Sequence, residues 1–491
     1  MQNKIIGITE EKRVLEQCYK SNGPEFIAIY GRRRVGKTFL IRNTFSNKKN
    51  TIFLNVTGMQ DGSLQEQIQN FTEAVAEAFF HKGVKLEAEE SWHKTFRMLA
   101  THITEVPKNK KIVLFFDEFP WMATQRSKLL QNLEYFWNHS WSKDPRIKLV
   151  ICGSASGWIL KNIINNKGGL YNRVTKTIHL EPFNIYETRE YLRSKGIKLN
   201  NKQVTEVYMA VGGIPHYLAQ IDKGLSATQI IERLAFSKSS FLLREFDNLY
   251  ATLFKNAIDS IEIVKTISKH RYGITQEDLF RSIPNISSGG TTVKWLKDLE
   301  DAGFIMSFKP KWHKRKGLYY KVIDEYTLFY LYWIEPIKDN LLAKGLRRGY
   351  WEKIRNGASG QSWKGLAFEA VCYKHLSQIA KALNLSPTAL PSTWKYTPKK
   401  YSKDQGAQID LLFDRDDDSI TVCEIKYTDQ PFVIDKQYAK NLINKVEIFK
   451  KKTKITKQIF IAMVSANGIK PTMYSEELIS GCVTLDDIFS N

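Results

Sequence analysis

The sequence predicts a multidomain α/β protein. Three observations predict it: a strand–loop–helix unit at residues 26–45, alternating strands and helices from there to residue 180, and a second α/β stretch after residue 363. At 491 residues the chain favours about three domains, each able to bury its own core. Its composition, 43% hydrophobic and 25% charged, is that of a globular protein. Lysine and arginine (73) outnumber aspartate and glutamate (51), giving a formal charge of +22. Such an excess favours an anionic partner, nucleic acid before a membrane surface, or reflects a lysine-rich proteome. No run approaches the roughly 18 apolar residues that span a bilayer, and the opening MQNKIIGITEEKRVLEQ has no apolar signal core. The five cysteines are scattered, with no C-x-x-C pair. They point to neither a zinc site nor a disulfide framework, and a reduced, cytoplasmic location is the expectation.

Taken in order, residues 5–22 read as an amphipathic helix. Phe26–Tyr30 is an apolar strand, Gly31–Gly36 a loop, and a helix opens at Lys37. Gly31, Gly36, Lys37 and Thr38 fill every fixed position of G-x-x-x-x-G-K-[ST]. A loop of this kind (Gly31, Arg32, Arg33, Arg34, Val35, Gly36) aims backbone N–H groups and a helix N-terminus at the phosphates of a nucleotide. Lys37 is expected to reach the β- and γ-phosphates and Thr38 to ligate Mg²⁺, with Phe39 completing the nucleotide-binding stretch.

Further strands read at Thr51–Val56, Ile112–Phe116, Ile147–Cys152 and Thr175–Leu180, with helices between them. That alternation means a parallel sheet. Ile112–Phe116 runs straight into Asp117 and Glu118. A parallel strand delivers such residues to the ligand crevice. Asp117 is expected to hold Mg²⁺ through water, and Glu118 to orient or deprotonate the attacking water. Ser154, after Ile147–Cys152, has two readings: a sensor between the acidic strand and the γ-phosphate, or the N-cap of a helix over Ala155–Ile164. Arg173, ahead of the last strand, is an arginine finger or a surface arginine. A finger acting from a neighbouring subunit requires a homo-oligomer.

Residues 184–250 read helical, with Gly212-Gly213-Ile214-Pro215 breaking two helices. His216, just after the break, faces a nucleotide or is structural. Residues 255–322 read as three helices, Ala257–Ser268, Thr275–Arg281 and Thr291–Ala302, then a hairpin of Phe304–Phe308 and Leu318–Val322. This is the order of a winged helix-turn-helix, with Thr291, Thr292 and Lys294 on the helix that enters a major groove. The loop between its strands carries Lys309, Lys311, Lys314, Arg315 and Lys316, with Trp312 interleaved and no acid. It is expected to contact DNA phosphates, with Trp312 stacking or wedging, or else to dock a partner protein. The aromatic stretch EYTLFYLYWIEP reads as packing core, and RNGASGQS at 355–362 as a linker.

In the last domain, a helix over Gly365–Ser377 carries Glu369, a strand over Gln408–Phe413 carries Asp410, and a strand over Ile420–Lys426 carries Glu424 and Lys426. Residues 424 and 426 share one face of their strand, because side chains alternate with period two. Asp410 and Glu424 are the expected Mg²⁺ ligands, as hard oxygen donors. The metal activates water, which Lys426 positions or helps deprotonate. Lys395, Lys399, Lys400 and Lys403, and a later group from Lys445 to Lys457, form a basic surround.

The set GRRRVGKT, VLFFDEFPWM, VICGSASG, an arginine before IHLEPF, and VGGIPHYL resembles the prokaryotic "archaeal ATPase" family of AAA+/STAND-related P-loop ATPases, over essentially the full length. Many of these carry a C-terminal DUF234-type nuclease-like domain. Asp410, Glu424 and Lys426, with Glu369 on the first helix and Gln437 on a following one, resemble the PD-(D/E)XK nuclease fold, an α-β-β-β-α-β unit. Two departures stand out. Gly7 is followed by Ile8-Thr9-Glu10 where the family has Gly-Arg-Glu, leaving base contacts unassigned, and Asn172-Arg173 stands where it has Gly-Arg.

The resemblance implies an αβα P-loop ATPase core (1–183), a helical lid (184–250), a winged helix (251–322), a helical connector and linker (323–362) and a restriction-endonuclease-like α/β domain (363–491). The function it implies is ATP hydrolysis controlling Mg²⁺-dependent, nuclease-like action on DNA. The alternative is an ATP-switched scaffold that binds DNA or protein and does not cut.

Overall fold

The computed structural model describes residues 6–80, 83–124, 126–254, 256–284, 286, 289–309, 312, 317–346, 349–398 and 405–490. Lys311, Lys314, Arg315 and Lys316 of the expected wing, and Lys399, Lys400 and Lys403, lie outside the described residues. The chain divides into two compact units, Met1–Pro182 with Leu253–Lys255, and Phe183–Thr252 with Asn256–Asn491.

The first unit is built on β1 (Glu25–Tyr30), β2 (Thr51–Thr57), β3 (Lys111–Asp117), β4 (Ile147–Gly153) and β5 (Lys176–His179). All pair in parallel, in the order β2-β3-β4-β1-β5. Central parallel strands are covered on both faces and read as continuous apolar runs. Accordingly, every residue of β4 is buried, and all of β3 but the first. Helices lie between the strands. One of them, Leu64–Phe79, opens with a capping box of Ser63 and Glu66. It brings Phe71 within 5.4–5.6 Å of Trp92, Phe96 and Phe116, ring to ring. The order puts β4 between the strand that leads to the phosphate loop and the strand that ends in Asp117. The C-terminal ends of all three therefore open onto one edge of the sheet, where a doubly covered sheet binds its ligands.

The second unit begins with helices Ile185–Ser194, Asn201–Val211, Pro215–Leu218 and Ala227–Ala235. Then come helices Ala257–Ser268, Gln276–Ser282 and Gly290–Asp301 and a three-stranded antiparallel sheet of β6 (Ile274–Thr275), β7 (Ile305–Phe308) and β8 (Tyr319–Val322). The stretch around Tyr330 is packing core, as expected. Tyr330 stacks on Phe246 with ring centroids 4.0 Å apart, and Trp333 meets Trp351 at 5.2 Å. After helix Ala358–Lys374, strands β9 (Leu390–Tyr396), β10 (Ala407–Asp414) and β11 (Ser419–Lys426) run antiparallel. A two-residue strand β12 (Phe432–Val433) and helix Lys436–Thr453 lead to β13 (Gln458–Ser465), which joins β11 in parallel. β14 (Ile469–Lys470) pairs β12, and β15 (Ile479–Val483) completes the sheet in the order β15-β13-β11-β10-β9.

One expectation is corrected by the fold. Residues 355–362 are not a linker, since from Ala358 onward they are the first turns of helix Ala358–Lys374. Their Gly/Ser composition reads as loop, but packing overrides it. Gly360 is buried so close to the Arg355 carbonyl that a Cβ would collide with it. Thr291, Thr292 and Lys294 all lie on helix Gly290–Asp301, as expected, with Thr291 and Lys294 exposed and Thr292 buried. A helix anchored by Leu296 and Leu299 turns position 292 inward with them.

His375 ties the start of this unit to its C-terminal half. The ring is buried, Nε2 accepts the Ile185 N–H at 3.0 Å, and Nδ1 lies 2.7 Å from the Val371 carbonyl, to which it donates. Both nitrogens are thus committed in the neutral form, and burial lowers its pKa from 6.5 to about 4. A base whose folded pKa is depressed stabilises the fold while it stays neutral. Its contribution is complete above about 6.5 and is lost as pH falls to about 4, a change of roughly 3 kcal/mol. The thermal midpoint should fall over that window, and His375→Gln should flatten the fall. An equal slope in both proteins would remove His375 from the account.

Candidate functional site

At the C-terminal end of β1 the chain turns through Gly31 and Gly36, at φ 147° and 99°. A side chain on Gly31 would collide with the Leu180 carbonyl, so glycine is required there. Arg34 also takes a positive φ, 70°. Gly36 occupies the N-cap of helix Lys37–Phe45 and no side chain caps it, an arrangement that suits an anion. Lys37, only 5% exposed, folds over the loop and donates to the carbonyls of Gly31 and Arg32, both at 2.8 Å. Arg32 and Val35 are buried, Arg33 and Arg34 half-buried, and Phe39 is exposed.

The Thr38 hydroxyl donates to Asp117 Oδ2 at 2.7 Å, joining the loop to the acidic strand. These are two hard oxygen donors side by side, a set that fits Mg²⁺ completed by water and phosphate. Asp117 Oδ1 accepts the Glu118 N–H at 3.1 Å. Glu118 itself has a left-handed backbone, φ 44°, uncommon for a residue with a Cβ. Its Oε2 accepts both the N–H (3.0 Å) and the hydroxyl (2.9 Å) of Ser154. Ser154 is therefore not the N-cap of the helix that follows. Ala155 takes that place before Ser156–Ile159, and a π-helical turn continues it. The Ser154 hydroxyl orients Glu118 instead, because the strand order brings the ends of β3 and β4 together. Arg173 is exposed in the turn before β5.

The second unit gathers the other expected residues. Lys426 Nζ lies 3.0 Å from Glu424 Oε1, as alternation on one strand predicts. The same oxygen accepts the Tyr438 hydroxyl at 2.7 Å, and Oε2 pairs with Lys445. Asp410, on the adjacent strand, accepts Gln408 Nε2 at 2.7 Å. Burial, then the charges of Glu424 and Glu369, push Asp410 up to about 6. Burial also acts to raise Glu424, but Lys445 and Lys426 outweigh it and hold it low.

Glu369 is buried close enough to Asp410 for its charge to help raise that carboxyl. It pairs with Arg271, and Lys321 Nζ lies 3.7 Å away. Gln437, on the following helix as expected, is exposed and bonds Asn441 at 3.3 Å. Its neighbour Tyr438 points inward instead, with Lys445 seven residues on and so on the same helix face. In the sequence Lys445 stands out only as one of a basic group, and nothing there marks Tyr438, Arg271 or Lys321. Trp312 is half-buried, its ring 5.6 Å from Phe449. Among the described residues no three His, Cys, Asp or Glu side chains gather as a metal-ligand group. Mg²⁺ takes as few as one or two carboxylates, with water and phosphate, so the Asp410–Glu424 pair fits.

Compared with known proteins, residues 9–221 match the family described as an ATPase domain predominantly from Archaea. Over these residues the chain resembles an ATPase domain, a P-loop one by its loop and acidic strand. The chain is 25% identical over 431 residues to the uncharacterized protein MJECL04 of Methanocaldococcus jannaschii, covering 87% of this chain and 88% of that one. It is 50% identical over 45 residues to the uncharacterized ATP-binding protein MJ0423 of the same organism, 9% of this chain and 76% of the other. Among solved structures, the Walker-type ATPase PABY2304 of Pyrococcus abyssi aligns with a TM-score of 0.47 and 17% identity, over 67% of this chain and 96% of that one. The Aeropyrum pernix ORC2 protein in ADPNP–ADP complexes aligns at 0.44 and 14%, over 70% and 96%. Among the described residues no helix is long and apolar enough to cross a membrane.

Proposed function

We propose that the protein hydrolyses ATP with Mg²⁺ in its first unit and uses the nucleotide state to control a Mg²⁺-dependent, nuclease-like site in its second. The observation that carries the ATPase half is the chain of contacts from Thr38 to Asp117 and from Ser154 to Glu118. In this reading Lys37 holds the phosphates, Thr38 and Asp117 the metal, and Glu118 the attacking water, with Ser154 as its positioning residue. Arg173 is left as the candidate finger from a second copy.

The nuclease half is favoured by Asp410, Glu424 and Lys426 converging on adjacent strands, in a domain whose elements, apart from the short helix Leu376–Ala382 and the two-residue β12, follow the order α-β-β-β-α-β. That order supports a PD-(D/E)XK-type domain. Three helices followed by the β7–β8 hairpin likewise support a winged helix, and with the charge of +22 favour nucleic acid as the partner, DNA before RNA. The non-cutting scaffold has one observation on its side: Glu369 is already neutralised by Arg271 and Lys321.

The ATPase half is tested by Glu118→Gln. The amide keeps an oxygen for Ser154 but does not take a proton. Turnover should fall about 100-fold while ATP affinity stays within a few-fold. Wild-type turnover in this variant would remove Glu118 from the hydrolytic role.

A further inference from the structure

A cavity of about 730 Å³ opens within the second unit, between the β7–β8 hairpin and strands β9 and β10. Asp410 and Glu369 stand on its wall. The rest of the lining mixes aromatic rings with aliphatic, polar and lysine side chains. Tyr272, Phe308, Trp312 and Tyr396 contribute rings, and Lys395 and Lys452 contribute ammonium groups. The cations sit on ring faces: Lys395 Nζ is 4.3 Å from the centroid of Tyr272, and Lys452 Nζ is 4.4 Å from that of Tyr396. Tyr272 and Lys395 are exposed and lie toward solvent, while Tyr396 and Lys452 are half-buried.

We propose that this cavity binds a single unstacked nucleotide, base against the aromatic rings and phosphate against Lys395 and Lys452. The chemistry of the wall selects that ligand. Rings accept any base by stacking, lysines accept a phosphate, and the two together recognise a nucleotide without reading its sequence. The volume is that of a site for one small ligand, about 300–1,000 Å³, so a stacked duplex is excluded. Because Asp410 lines the same space, the nucleotide is the terminus of a single strand led to the acidic pair. This last step rests on the nuclease reading above. The binding does not, and it is measured without metal.

The test uses the full chain in EDTA. The probes are a short single strand ending in 2-aminopurine, the same strand in a blunt duplex, and free thymidine monophosphate. Stacking on tyrosine quenches 2-aminopurine, so the single strand should lose fluorescence on binding. Tyr272→Ala and Tyr396→Ala should each weaken it roughly ten-fold. Lys452→Gln should weaken it and flatten its salt dependence. Binding confined to the strand end identifies substrate, whereas equal binding of the monophosphate, lost in the same variants, identifies a free nucleotide; both uphold the site. Affinity unchanged in Tyr272→Ala and Tyr396→Ala, or a duplex bound as tightly as the single strand, overturns it. Tyr272 is exposed, so its variant is expected to fold. Should the protein bind the strand as described but never cut DNA with Mg²⁺, the cavity stands and the nuclease reading fails.

Discussion

Lys37→Ala is expected to lower ATP turnover on the order of 1,000-fold in a protein that stays folded. The ammonium is buried within the loop it closes, donating to the Gly31 and Arg32 carbonyls. A preorganised cation in a site shielded from water stabilises developing phosphate charge far more than one in solvent, and costs no reorganisation during the reaction. Its removal leaves two loop carbonyls without their donor, a loss of about 1–3 kcal/mol, small enough for the five-stranded sheet to survive. Phosphate release and a thermal melt, run side by side, separate the two effects. Unchanged turnover would take the nucleotide site away from Gly31–Thr38.

Asp410→Asn and Glu424→Gln are both expected to lose Mg²⁺-dependent cleavage, yet to move stability in opposite directions. Asp410 is pushed up to about 6, by burial and by the charges of Glu424 and Glu369. An acid whose folded pKa lies above its ordinary value costs stability once ionised. The cost is absent below about 3.8 and complete above about 6. Asparagine removes that cost, so the thermal midpoint at pH 7.5 should rise. Glu424 is the reverse, a buried carboxylate held low by Lys445 and Lys426, and glutamine strands both lysines. Its midpoint should fall. Metal binding needs the ionised carboxylate, so the Mg²⁺ needed for half-maximal cleavage should decrease as pH rises through about 6. A midpoint lowered equally by both variants would contradict the electrostatics described for the pair.

Much of this was legible from residue order alone. β3 is an unbroken apolar run ending in an acid, so its place in a buried parallel sheet followed from composition. Glu424 and Lys426 are two apart on one strand, so their contact followed from the pleat. What was hidden depended on strand order and long-range packing. Ser154 meets Glu118 because β4 lies next to β3, which no local pattern records. Arg271 reaches Glu369 across 98 residues. Residues 355–362 read as a loop because they are turn formers, whereas packing around Gly360 makes a helix from Ala358 onward. Gln437 lies on the following helix as the resemblance implies, but the helix face that meets Glu424 carries its neighbour Tyr438, which residue order alone does not record.

One measurement bears most directly on ATP control of the acidic site. Supercoiled plasmid is incubated with Mg²⁺ and ATP and with wild type, Lys37→Ala or Asp410→Asn, and the nicked and linear products are followed in time. Wild type should cut, and both variants should leave the plasmid intact, one through the nucleotide site and the other through the acids. Cutting by Lys37→Ala at the wild-type rate, or an intact plasmid with wild type while it turns over ATP, would contradict the account.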